Sequence, residues 1–143
     1  MVLTYNDISC LENFHISTLY KILKQSEYDI FSNVNIKQYN YIRKRIVNMI
    51  LVTDMAIHGK VMTNIQNKIT FTDYNVLQII SGNDKTKFYE QQAVLDYFIH
   101  SADLAHNTKP FEISLQWVEL LSNEFWLQGN KKKEMKLPIS FFM

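Results

Sequence analysis

The feature that most constrains this chain is a shortage of the residues that end secondary structure: 3 Gly and 2 Pro among 143 residues. Average usage for the two together is about 12%, so the chain holds roughly a third of the ordinary complement of turn and breaker positions. Long helices joined by few irregular connections follow, and the expected fold is all-α, a multi-helix bundle. With 47% hydrophobic and 13% aromatic residues, the chain has material for a core and is not a disordered tail. Its length fits one ordinary domain. A formal charge of +1 excludes a nucleic-acid binder working by bulk charge. The single cysteine, Cys10, cannot form an internal disulfide or by itself build a zinc site, which suits a reducing compartment. Polar residues interrupt the first turns at Tyr5, Asn6, Asp7, Glu12 and Asn13, so no secretory leader is read there. The longest apolar stretch, Ile46 to Val52, contains Asn48 and falls far short of the ~20 residues that span a bilayer. A soluble, intracellular, cytoplasmic protein is expected.

Ser9 and Glu12 have the spacing of a capping box ahead of a helix from about Leu11 to Lys24. Leu11, Phe14, Leu19 and Ile22 provide its apolar stripe. Asn35 offers a second cap, and Tyr39, Ile42, Ile46 and Ile50 recur at helical intervals toward His58, where Gly59 relaxes or ends the helix. A shorter helix is expected over Val61 to Ile69. Periodicity fails between Thr70 and Lys87, where Ser81-Gly82-Asn83-Asp84-Lys85 reads as a turn. From Phe88 to Leu104 apolar residues lie all round the helix, the pattern of a segment buried in the middle of a bundle. Pro110 suits the start of a last long helix, with Trp117, Leu121, Glu124 and Gln128 on one face and Gly129 as its stop. Lys131-Lys132-Lys133-Glu134 then reads as a solvated tail.

Ionisable groups interrupt two apolar helices. Thr53-Asp54 follows Ile50-Leu51-Val52 directly, and His100 and Asp103 form an i, i+3 pair at the end of the most apolar helix. Glu12, His15, His58 and Glu124 lie on faces that also carry core residues. Buried carboxylates and imidazoles suit a divalent cation, which neutralises the charge and acidifies a bound water. They serve equally well as hydrogen-bonded structural residues, with Asp54 paired to Arg43 or Arg45, His58 exposed at a helix end and Cys10 a packed thiol. Spacing alone stops at a helical, metal-compatible chain.

The words of the sequence go further. TYNDISCLENFH (Thr4 to His15), ILVTDMAIH (Ile50 to His58), HSADLAHNTKP (His100 to Pro110) and NEFWLQGNKKKEMKLPIS (Asn123 to Ser140) appear in order. They resemble successive motifs of the class I cyclic nucleotide phosphodiesterase catalytic domain, which read roughly YNDxSVLENHH, ILATDMxxH, HxADLSNPTKP and EEFFxQGDxExxxxLPIS. The resemblance implies an all-helical enzyme that hydrolyses cAMP or cGMP to the 5′-monophosphate in signal transduction. It implies two divalent cations, zinc and magnesium, that hold a bridging hydroxide. By the same resemblance Asp103 is a metal-binding aspartate beside the substrate, and Glu12 lies near the magnesium waters. Thr53 and Asp54 hold the water network, and Glu124 orients the acid histidine.

The departures are as informative. The family's HNxxH and HD motifs, which supply the acid histidine and further metal ligands, have no counterpart in the 143 residues. Of the direct zinc ligands only Asp103 is kept, whereas a catalytic zinc needs about three from the protein. Phe14 replaces the first histidine of LENHH, and His106 stands where many members carry a base-contacting asparagine. The whole span, 1–143, is therefore expected to be the central part of such a catalytic domain, incomplete alone and a poor binder of metal. The competing expectation is a catalytically inactive helical module that acts as an interaction or regulatory partner and self-associates through exposed apolar helix faces.

Overall fold

The computed structural model describes residues 2–71 and 88–139. Every regular element in that range is helical, as the glycine and proline shortage requires. The expected turn at Ser81–Lys85 lies outside the described residues. The chain divides into two compact units, 1–103 and 104–143.

In the first unit α1 is Val2–Tyr5, α2 Cys10–Leu23, α3 Ile36–Leu51, α4 His58–Phe71 and α5 Phe88–Asp103. Helix α5 packs on both α3 and α4, and α3 also packs on α2. Ile16, Val52, Ile65 and Val94 form the buried apolar centre of this arrangement. Each such burial contributes about 1.5–3 kcal/mol. Helix α5 is not apolar-buried on all sides as its composition implied. Gln92, Val94 and His100 are buried, while Tyr89 is 74% and Phe98 56% exposed. Two packed neighbours cover one flank of the helix, and its other large side chains reach water.

Helix starts follow two different solutions. At Asn35 the capping box forms in full: Gln38 N–H donates to Asn35 Oδ1 at 3.0 Å, and Asn35 N–H donates to Gln38 Oε1 at 3.4 Å. At α2 the expected Ser9–Glu12 box does not form. Ser9 sits in the left-handed region (φ 41°, ψ 51°), which removes its hydroxyl from the helix's own amides. The Asn13 side-chain amide instead donates to the carbonyls of Ile8 and Ser9, at 3.0 and 3.1 Å.

Helix α3 ends at Leu51, short of the expected His58. Thr53 Oγ1 donates to the Ile50 carbonyl at 2.8 Å, and Asp54 Oδ1 accepts the Ala56 amide at 2.8 Å to start a 3₁₀ turn, Met55–Ile57. These two short polar side chains satisfy backbone groups that a continuing helix would have used. Gly59 lies inside α4 and terminates nothing.

The second unit holds a 3₁₀ turn, Ala105–Thr108, and α6, Phe111–Glu134. Ser114 Oγ donates to the His106 carbonyl at 2.9 Å and ties the two together. Gly129, the expected stop, is buried inside α6. The helix ends beyond it in a Schellman motif, with Lys136 at φ 56°, Leu137 N–H on the Lys132 carbonyl at 2.9 Å and Lys136 N–H on Lys133 at 3.1 Å. Lys131, Lys132 and Lys133 are thus the last helical turn, where positive charge complements the helix dipole.

Candidate functional site

Asp54 links two segments of the first unit through its two carboxylate oxygens. Its Oδ1 caps the 3₁₀ turn, and its Oδ2 accepts the Ser9 hydroxyl at 2.8 Å, across 45 residues of sequence. The half-buried Asp54 is thereby anchored to the residue before α2, whose first turn carries the half-buried Glu12. This bond joins two of the sequence-matched segments, around Glu12 and around Thr53-Asp54. Neither Arg43 nor Arg45 takes the carboxylate, contrary to the alternative read from sequence. The Arg43 guanidinium carbon lies 3.8 Å from the centre of the Tyr20 ring.

Arg45 is buried and bonds to uncharged side chains instead. Its guanidinium donates to the Tyr41 hydroxyl, to Gln91 Oε1 at 2.6 Å and to Gln92 Oε1 at 3.4 Å, and it lies over the Tyr41 and Phe88 rings. Gln92 Nε2 passes the chain of bonds on to Asp96 Oδ1 at 2.6 Å. Burial pushes the Asp96 carboxyl above its ordinary value, while the Gln92 bond and Arg45 pull it back. Asp96 lines a cleft of about 230 Å³ with Val52, Ile57, Lys60 and Asn64. Sequence reasoning missed this network, because a single Arg, Gln and Asp on two apolar-patterned helices carry no motif.

His100 and Asp103 separate. His100 is only 1% exposed, whereas Asp103, the last residue of α5, faces water. The partner of His100 is His58, whose Nδ1 lies 2.7 Å from His100 Nε2. His58 is half-buried and begins α4, so the expectation of an exposed helix-end histidine is corrected. His15 is exposed, and Cys10 is half-buried as a free thiol.

The second unit carries Glu124 and His106. Glu124 is exposed on α6 and accepts a bond from Gln128 Nε2 at 3.2 Å. The half-buried His106 ring stands 6.5 Å from Trp117, centre to centre.

The profile of the family described as 3′5′-cyclic nucleotide phosphodiesterase matches residues 1–143. The chain belongs to that family. The probable 3′,5′-cyclic-AMP phosphodiesterase pde-4 of Caenorhabditis elegans is 35% identical over 98% of this chain and 20% of its own length. The 3′,5′-cyclic-AMP phosphodiesterase, isoform F, of Drosophila melanogaster is 34% identical over 98% of this chain and 21% of its own. The phosphodiesterase domain of the RhoPDE fusion protein from the choanoflagellate Salpingoeca rosetta superposes with a TM-score of 0.81 at 29% identity. That superposition covers 98% of this chain and 42% of the solved one. The chain thus spans about a fifth of the length of these curated relatives.

Membership of the phosphodiesterase family is consistent with divalent metal use. Among the described residues, however, no three His, Cys, Asp or Glu side chains converge on a point. The exposed carboxylate of Asp103 by itself does not fit a zinc centre. No helix among the described residues is long and apolar enough to cross a membrane.

Proposed function

We propose that the chain is a segment of a metal-dependent phosphodiesterase that hydrolyses 3′,5′-cyclic AMP to the 5′-monophosphate. The observation that carries this reading is the family match across residues 1–143, with Glu12, Thr53, Asp54, Asp103 and Glu124 at the motif positions. The names of the relatives favour cAMP over cGMP. In this reading Asp103 supplies one ligand to a zinc and magnesium pair, and further ligands come from outside the 143 residues. Ser9 and Asp54 hold the Glu12 helix and the Thr53 turn in register, a task these side chains perform without metal. Glu124 orients a proton-donating histidine, and His106 faces the nucleotide base.

The test is product analysis. The purified 143-residue chain is incubated with cAMP, or with cGMP, in zinc and magnesium. The proposal predicts 5′-AMP slightly above background, at a turnover of about 0.01 s⁻¹ or less against about 10 s⁻¹ for a median enzyme. Asp103→Ala should abolish it. Equal product with and without Asp103 would remove that residue from the site.

A second reading, a helical interaction module without turnover, draws on the apolar surface of α6, where Leu120, Trp126 and Leu127 are 64%, 61% and 70% exposed. Self-association through that surface predicts a dimer or larger species in size-exclusion chromatography, reduced by Leu120→Glu. A monomer at every concentration contradicts it.

A further inference from the structure

An imidazole at the most enclosed large side-chain position among the described residues is a poor choice for packing alone. His100 is 1% exposed and its Nδ1 is buried with no hydrogen-bond partner. Leu or Met would fill the volume without removing an unpaired polar atom from water. What imidazole supplies there is a directed bond. His100 Nε2 lies 2.7 Å from His58 Nδ1, with ring centres 5.0 Å apart and planes inclined at 35°. One ring must donate and the other accept. With His100 donating from Nε2, its Nδ1 buries only a lone pair, and His58 keeps its proton on Nε2. The opposite tautomer buries an unsatisfied N–H, so the first is assigned.

The bond joins two segments that both carry motif residues. Going back from His58, the chain passes through the Met55–Ile57 turn to Asp54, which caps that turn. Going forward from His100, one helical turn leads to Asp103 at the end of α5. We propose that His58 and His100 are positioning residues whose N–H···N bond fixes the Thr53–Asp54 turn against the end of the helix that carries Asp103. The Ser9–Asp54 bond extends the same brace to the start of α2 and so to Glu12. The significance of the brace rests on the phosphodiesterase reading of Asp54 and Asp103; its geometry does not.

The test uses the full 143-residue chain with ¹⁵N-labelled imidazoles. The unaltered protein should show a nitrogen–nitrogen coupling through the hydrogen bond between His58 Nδ1 and His100 Nε2. The amides of Ala56 and Ile57, which donate to Asp54 Oδ1 and to the Asp54 carbonyl, report on the turn. His58→Leu fills the ring volume without a polar group, whereas His58→Asn keeps an acceptor near the Nδ1 position. Exchange at both amides should be about tenfold faster in the Leu variant and within about threefold of the original in the Asn variant. The side-chain carboxyl ¹³C signal of Asp103 should move in the Leu variant and stay in the Asn variant. A contact that serves only packing predicts the reverse order, with Leu tolerated better than Asn, and that order overturns the proposal. Absence of the coupling in the unaltered chain overturns it as well, even if His58→Leu does not fold. None of these readouts depends on turnover: 5′-AMP formation that is equal with and without Asp103 would remove that residue from the phosphodiesterase site, while the coupling and the exchange pattern still decide the brace.

Discussion

Replacing Ser9 separates two effects that the structure places at one residue. Ser9 holds a left-handed backbone (φ 41°) and donates to the half-buried Asp54 carboxylate at 2.8 Å. A hydrogen bond to a charged acceptor contributes about 1.5–3 kcal/mol, and partial exposure reduces this to roughly 1–2 kcal/mol. A non-glycine residue in the left-handed region costs about 1–2 kcal/mol. Ser9→Ala therefore loses the bond and keeps the strain, and should destabilise by about 1–2 kcal/mol. Ser9→Gly also loses the bond but relieves the strain, partly offset by about 0.4–1 kcal/mol of added unfolded-state entropy. Its net cost should be about 0.5–1 kcal/mol, so glycine should be the better replacement. Urea unfolding followed by circular dichroism measures both variants. A double-mutant cycle with Asp54→Ala should return a coupling of about 1 kcal/mol, because the two side chains lie in direct contact. If alanine proves as stable as glycine, the strain assignment is wrong. If the cycle returns a coupling within about 0.3 kcal/mol of zero, the Ser9–Asp54 bond does not hold the two motifs together.

Arg45→Ala removes a guanidinium bonded to Tyr41, Gln91 and Gln92 and stacked over Tyr41 and Phe88, and should cost about 3 kcal/mol in the same assay. Arg45→Met keeps the apolar stem and should cost about half as much; a Met variant as stable as the parent would show that the polar network contributes nothing. Burial raises the Asp96 carboxyl above its ordinary 3.8, so folding favours its neutral form. The resulting penalty is absent below the unfolded value and sets in as pH rises through the folded one. Asp96→Asn should therefore be more stable than the parent at pH 7, with the gap closing below about pH 3; a gap that widens toward acid contradicts the burial argument. Asn35→Ala removes the side-chain half of the capping box, the bond that Gln38 N–H donates, and should cost about 1 kcal/mol, read from the midpoint of thermal unfolding.

What could be read from the sequence was local. Asn35 was legible as a cap, and in the fold Gln38, three residues on, completes the box. Ser9 and Glu12 have the same spacing, yet a carboxylate 45 residues away takes the serine hydroxyl, and no local pattern announces that. The end of α6 shows the same limit. Gly129 looked like the stop, but packing buries it within the helix, and Lys136 adopts the left-handed conformation that glycine usually supplies. In the site, the Thr53-Asp54 interruption and the His100 and Asp103 positions were visible as charges among apolar residues. Their partners were not. Spacing offers Arg43 or Arg45 to Asp54, and Asp103 to His100, where the fold joins Asp54 to Ser9 and His100 to His58. Long-range pairing depends on which helices pack, and helical periodicity says which face is apolar without saying what it meets.

The central claim is that these residues carry one ligand of a phosphodiesterase metal centre, Asp103, and not a complete set. Zinc titration of the purified chain by calorimetry tests this most directly. Binding weaker than about 10 μM, equivalent to roughly 7 kcal/mol and abolished by Asp103→Ala, is the predicted result. A stoichiometric site with a dissociation constant near about 10 nM that survives Asp103→Ala would contradict it.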